Sequence, residues 1–214
     1  MNLEKYQQYS RIARGLEKAD LVLKDARIVN VFTEEIIRGD IAIQDGIIAG
    51  IGSFHGKEER DLAGRYVCPG FIDSHLHLES TLVTPAELVT AASRHGTTTF
   101  IVDPHESANV SGLAGIDYIL DQTEDVKANV YVMMPSCVPA TAIDDNGCTL
   151  TAEDMVPYLH NSRILGLGEV MDSISVVQGE KSMHDKLELF EGRIRDGHAP
   201  FLEEGDLQAY AMAG

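Results

Sequence analysis

Short apolar runs rich in β-branched residues, broken by Asp and Gly, fill the chain from Asp20 to Arg65. Leu21-Val22-Leu23, Arg27-Ile28-Val29-Asn30-Val31, Ile36-Ile37, Asp40-Ile41-Ala42-Ile43 and Ile47-Ile48-Ala49-Gly50-Ile51 follow one another, divided at Asp25, Gly39-Asp40 and Asp45-Gly46. β-Branched side chains suit a pleated, half-buried surface, and Asp-Gly supplies the positive φ angles of a tight hairpin turn. Residues 20–65 are therefore expected to form a small antiparallel β domain. Residues 1–19 are polar with sparse apolar positions at Leu3, Tyr6, Ile12 and Leu16, which predicts a short helical segment ahead of it.

From Tyr66 the pattern becomes strand, loop, helix. Strands are expected at Tyr66–Ile72, Thr97–Val102, Asn129–Met134 and Arg163–Leu167, with a short one at Arg193–Asp196. Thr84 and Glu87 have capping-box spacing, Pro85 suits the first helical position and Gly96 the stop. Thr151 and Asp154 repeat the start signal less cleanly, because Pro157 should shorten that helix. Two more helices are expected at about Gly112–Gln122 and His184–Gly192. Strands alternating with helices imply parallel βα units, so residues 66–214 read as an α/β unit.

In such folds chemistry collects in the loops at the carboxyl ends of the strands. His75 and His77 follow the first strand, Asp103, His105 and Glu106 the second, Ser136 and Cys137 the third, Glu169 the fourth and His198 the fifth. Side chains at i and i+2 of a strand share a face, so His75 and His77 would present two imidazoles to one cation. Two histidines, a carboxylate and a third histidine make a ligand set for one or two divalent ions of the zinc, iron or manganese kind. Such ions activate water near neutral pH, which suits hydrolysis at a carbon bonded to nitrogen. Asp103, His105 and Glu106 could move protons or line a substrate pocket; equally, Asp103 could stabilise an Asx-type turn with His105 and Glu106 exposed. His55, His95, His160 and His184 lie off the pattern and read as structural or solvated; Cys137 reads as a small buried hydrophobe.

Composition narrows the classes. The 214 residues are 44% hydrophobic with a net charge of −17, which disfavours nucleic acid and anionic membrane as partners. No apolar run approaches the ~20 residues of a membrane helix, and the first residues lack a signal-peptide stretch. Three scattered cysteines fit a reducing, cytoplasmic setting better than a disulfide framework.

These residues resemble the metal-dependent amidohydrolases, and within them the bacterial and archaeal adenine deaminases. Pro69-Gly70-Phe71-Ile72-Asp73-Ser74-His75-Leu76-His77 is similar to the general signature of the superfamily. Residues Asp103 to Val110, Pro135 to Thr141, Gly168-Glu169-Val170-Met171 and Asp196-Gly197-His198-Ala199-Pro200 look like adenine deaminase segments, in that family's order. The resemblance implies a TIM-type barrel beside a small β domain and a two-metal site, with manganese or iron typical and zinc admissible. It assigns His75 and His77 to one metal, Glu169 to the bridge and His198 to the second metal. Attack of a metal-activated hydroxide on C6 of adenine would give hypoxanthine and ammonia, in an enzyme expected to be a homo-oligomer when complete.

Two elements of the family pattern have no counterpart here: a histidine on the sixth strand and a general-base aspartate on the eighth. Residues 66–214 number 149, against ~250 for a whole barrel. The expectation is therefore an incomplete barrel of about five βα units: the N-terminal part of such an enzyme, inactive alone. Two alternatives stand beside it. One is another amidohydrolase acting on a cyclic amide or amino-heterocycle; the other is a non-catalytic truncated paralogue that binds a partner subunit.

Overall fold

Asp45 and Gly46 turn the chain with φ angles of 51° and 75°, closing the hairpin between β2 (Glu35–Gln44) and β3 (Ile47–Gly52). The computed structural model describes residues 1–141 and 143–214. Two compact units divide the chain, Met1–Pro69 and Gly70–Gly214.

In the first unit, α1 (Leu3–Ala13) precedes β1 (Ala19–Asn30), and the sheet order is β3-β2-β1-β4, with β4 spanning Gly56–Asp61. The short runs expected on either side of Asp25 are one strand carrying a bulge between Leu23 and Ala26, where Asp25 adopts φ 48°. The sheet is mixed rather than antiparallel: β4 and the two-residue β5 (Tyr66–Val67) both lie parallel to β1. β4 is the charged sequence Gly-Lys-Glu-Glu-Arg-Asp, exposed except at Gly56, so its hydrophobic pattern gave no strand signal. Charged side chains on an exposed edge also discourage pairing with other chains.

Ile12, Ala19, Val22, Ala42 and Phe54 form one small core of this unit. Asp40 sits beside it, its Oδ2 accepting from Lys24 Nζ and from the Phe54 N–H (3.1 Å), its Oδ1 from the Asp25 N–H (3.1 Å). Burial alone would raise the carboxyl's pKa, but these bonds to the charged form hold it below the ordinary value.

The second unit is a five-stranded parallel sheet in the order β10-β9-β8-β7-β6. Its elements run β6 (Phe71–Leu76), α2 (Pro85–Ser93), β7 (Thr97–Val102), α3 (His105–Ser111), α4 (Leu113–Gln122) and β8 (Asn129–Met134). They continue with α5 (Ala152–Met155), β9 (Ile164–Val170), α6 (Ser173–Gln178), α7 (Lys181–Leu189), β10 (Ile194–Gly197) and α8 (Glu204–Ala211). The fold is α/β, a partial TIM-type barrel in which each strand is followed by helix. Phe100, Val102, Val130, Val132, Met134 and Leu167 are buried in one core with Ile116, Ile119, Met183 and Leu187 of the helices and with Phe190, which follows α7. The edge strands are far more open, with Ile72 63% and Ile194 54% exposed.

Several expectations need correcting. Tyr66–Ile72 is not one strand: Tyr66 and Val67 pair with β1, and the parallel sheet begins only at Phe71. Pro69-Gly70 breaks the run, and an apolar stretch does not declare which sheet its halves will join. Thr84 makes no side-chain cap bond, whereas Thr151 and Asp154 form the full capping box. Pro157 does shorten that helix, which passes into a 3-10 turn at Val156–His160. His105–Ser111, expected as loop, is helical.

Candidate metal centre

The carboxyl ends of β6, β7, β9 and β10 deliver six ionisable side chains to one place. His75 is the fifth residue of β6 and His77 follows its end, so strand alternation sets the rings side by side with Nε2 atoms 3.1 Å apart. The β6–β7 register shifts between Asp73 and Leu76, the irregularity at which His75 leaves the ladder. Asp103 follows β7, His105 opens α3, Glu169 is the penultimate residue of β9, and His198 follows β10.

Glu169 is the hub. Its Oε1 lies 3.4 Å from His75 Nε2 and 2.9 Å from His198 Nδ1. Its Oε2 lies 3.4 Å from His77 Nε2 and 3.5 Å from His105 Nδ1. The backbone around it is clamped: the Glu169 N–H donates to Asp103 Oδ2 (2.8 Å), and its carbonyl accepts from Ser136 Oγ (2.6 Å). Gly168 leaves room for that clamp, since a Cβ there would lie 2.2 Å from Asp103 Oδ2.

The outer hydrogen bonds fix the ring tautomers. His77 Nδ1 lies 2.8 Å from the Asp103 carbonyl and His75 Nδ1 lies 3.2 Å from Asp196 Oδ2, both acceptors only. Nδ1 therefore carries the proton in each neutral ring, and each Nε2 turns a lone pair toward the other and toward the Glu169 carboxylate. Asp103 Oδ1 and His105 Nδ1 are buried without a hydrogen-bond partner. The Asp103 carboxyl beside His105 raises the imidazole's pKa, with burial opposing. Lone pairs converging with too few protons between them describe a cation site. The separations agree: ligands about 2.1 Å from one ion lie about 3.0–3.4 Å apart along a coordination edge. The residues present thus fit a divalent metal.

Not every expected residue joins this cluster. Ser136 is fully buried, and its hydroxyl donates to the Glu169 backbone carbonyl. Glu106 is exposed and turns away, accepting from Ser80 Oγ. Asp103 makes no Asx-type turn; its Oδ2 is spent on a residue in another strand. His184 bonds the Val176 carbonyl at 3.0 Å, a structural role, and burial pushes the Cys137 thiol up to about 12.

Three contributors escaped the sequence reading. Glu79, its carboxyl raised in pKa by burial, accepts at Oε1 from the N–H groups of Glu106 (3.1 Å) and Ser107 (3.3 Å), holding the start of α3. Tyr210 accepts the His198 N–H (3.1 Å) and donates to the Val170 carbonyl (2.6 Å), tying the β10 loop to β9. Asp196 orients His75 and stands two residues before His198, a spacing that was readable in the sequence. A cavity of about 540 Å³ opens beside His75, Glu169 and His198, floored by Ile101, Met133 and Leu165. A larger one, about 690 Å³, lies behind Ser136 and Lys186 and includes none of the clustered histidines.

The amidohydrolase family model matches residues 66–212. An adenine deaminase of Desulfitobacterium hafniense (strain Y51) is 57% identical over 214 residues, 100% of this chain and 38% of that protein. Adenine deaminase 2 of Carboxydothermus hydrogenoformans is 48% identical over 95% of this chain and 36% of its own length. An adenine deaminase of Clostridium acetobutylicum is likewise 48% identical, over 94% and 36%. The chain spans little more than a third of the length of these curated relatives.

Proposed function

The chain belongs to the amidohydrolase family, and from that premise we propose that it is the metal-holding N-terminal part of an adenine deaminase, which converts adenine and water to hypoxanthine and ammonia. His75 and His77 are the proposed ligands of one divalent cation, Glu169 the bridge and His198 the ligand of a second, with Mn2+ or Fe2+ favoured over Zn2+. The convergence of three imidazoles on the Glu169 carboxylate at 2.9–3.4 Å carries this reading.

When bound, such a cation supplies Lewis acidity and makes water acidic enough to react at neutral pH. The chain's own residues do the positioning. Asp196 and the Asp103 carbonyl hold the protons on the Nδ1 atoms of His75 and His77, leaving both Nε2 atoms free to ligate. Asp103 and Ser136 fix the peptide on either side of Glu169, so its two carboxylate oxygens can face different neighbours. The cavity beside His75 and His198 offers an apolar floor for a flat purine ring. Attack at C6 adds the water oxygen there and expels the exocyclic amine as ammonia.

The test is hypoxanthine release by Mn2+-loaded protein, alone and mixed with a polypeptide supplying the rest of a relative's barrel. Adenine turnover is expected only with the complement. Turnover of cyclic amides with none of adenine would overturn the assignment.

A further inference from the structure

Asp103 and His105 are ligands of neither proposed metal; His105 Nδ1 lies beside Glu169 Oε2, whereas His75 and His198 approach Oε1. Asp103 is 1% exposed. Its Oδ2 is committed to the Glu169 N–H, while Oδ1 has no hydrogen-bond partner. His105 Nδ1, also buried and unpartnered, lies 3.6 Å from Asp103 Oδ1 and 3.5 Å from Glu169 Oε2. One ligand atom from each of Asp103, His105 and Glu169 lies within 4.8 Å of the other two.

We propose that Asp103 Oδ1, His105 Nδ1 and Glu169 Oε2 hold a divalent transition-metal cation of their own, distinct from the one between His75 and His77. Charge supports this. Asp103 and Glu169 are two buried carboxylates, and among the described residues histidines are their only ion-pair partners. The buried cation nearby, Lys186, spends its Nζ on the Ser136 carbonyl at 2.7 Å. A buried carboxylate is unfavourable unless a positive charge compensates it.

Ligand chemistry agrees: one imidazole nitrogen and two carboxylate oxygens suit manganese, iron or zinc. Ligation through Nδ1 leaves the ring proton on Nε2. The mounting is rigid as well. Glu79 holds the start of α3, where His105 sits, and the Glu169 peptide holds Asp103. The inference rests on the proposed function only in sharing Glu169 as a ligand.

Mn2+ is the probe. Protein stripped with chelator and dialysed against MnCl2 is counted for bound metal by mass spectrometry, with electron paramagnetic resonance reporting the ion's environment. The His75→Ala/His77→Ala/His198→Ala variant, stripped of the proposed pair's histidines, is expected to retain one equivalent, and adding His105→Ala to remove it. No Mn2+ on the triple variant, or an equivalent surviving in the quadruple variant, would overturn the proposal. Circular dichroism checks folding. If the quadruple variant does not fold, His105→Gln in the native background decides, by losing one equivalent or keeping the native count. Native metal counts without adenine turnover in the complemented enzyme would sink the deaminase reading and leave this one standing.

Discussion

Asp103 Oδ2 accepts the backbone N–H of Glu169 at 2.8 Å, joining the residue after β7 to the penultimate residue of β9. With the Ser136 hydroxyl on the Glu169 carbonyl, it fixes both sides of the residue on which four imidazoles converge. Precise placement is achieved by backbone clamps rather than by the carboxylate's own contacts.

Ser136→Ala removes one clamp. The Glu169 carbonyl still receives the Met171 N–H at 2.9 Å, so the loss in unfolding free energy should be about 1 kcal/mol. Urea denaturation measures it. A loss of ~3 kcal/mol or more would mean that the hydroxyl holds up more of the fold than this one bond.

Asp196→Ala frees the His75 ring to take the other tautomer. Mn2+ affinity, measured by titration calorimetry, should fall roughly 10–100-fold with the melting temperature of the metal-free protein nearly unchanged. Unaltered affinity would show that the 3.2 Å contact does not set the tautomer.

The first unit should be acid-sensitive through Asp40. Its folded pKa lies below the unfolded value near 3.8, so the unfolded chain binds protons first as pH falls. The stabilisation is complete above that value and is lost as pH drops through the folded pKa. Asp40→Asn leaves Lys24 without its carboxylate partner but still bonded to the Phe54 carbonyl, and should cost about 2 kcal/mol at neutral pH while flattening the acid limb. Chemical unfolding followed across the acid range checks both.

Thiol chemistry should separate the cysteines. Burial pushes the Cys137 thiol up to about 12, so at pH 8 only about one molecule in 10,000 carries the thiolate. Cys68 is exposed. Peptide mapping after a short treatment with iodoacetamide should find Cys68 modified and Cys137 untouched until denaturant is added.

The legible parts of this structure were those written in local patterns. Thr97–Val102 and Asn129–Met134 read directly from apolar runs bounded by polar residues, and strand alternation foretold the pairing of His75 with His77. The illegible parts depend on partners distant in sequence. The Asp103–Glu169 bond spans 66 positions, and nothing near Asp103 distinguishes it from an Asx turn. Thr84 and Thr151 carry the same capping spacing, yet only Thr151 completes the box. α3 hid because it is seven residues long, rich in polar residues and preceded by proline. β4 hid because charge replaced the hydrophobic period.

The absent side chain at residue 168 has a reach beyond this molecule. A methyl group there and a carboxylate at 103 claim the same volume, so neither position is free to change on its own. Descendants of this sequence would inherit the two as a linked character: glycine with aspartate, or a larger residue at 168 only after something shorter at 103. Mutational drift along this stretch of β9 is thus governed by a residue two strands away in the sheet.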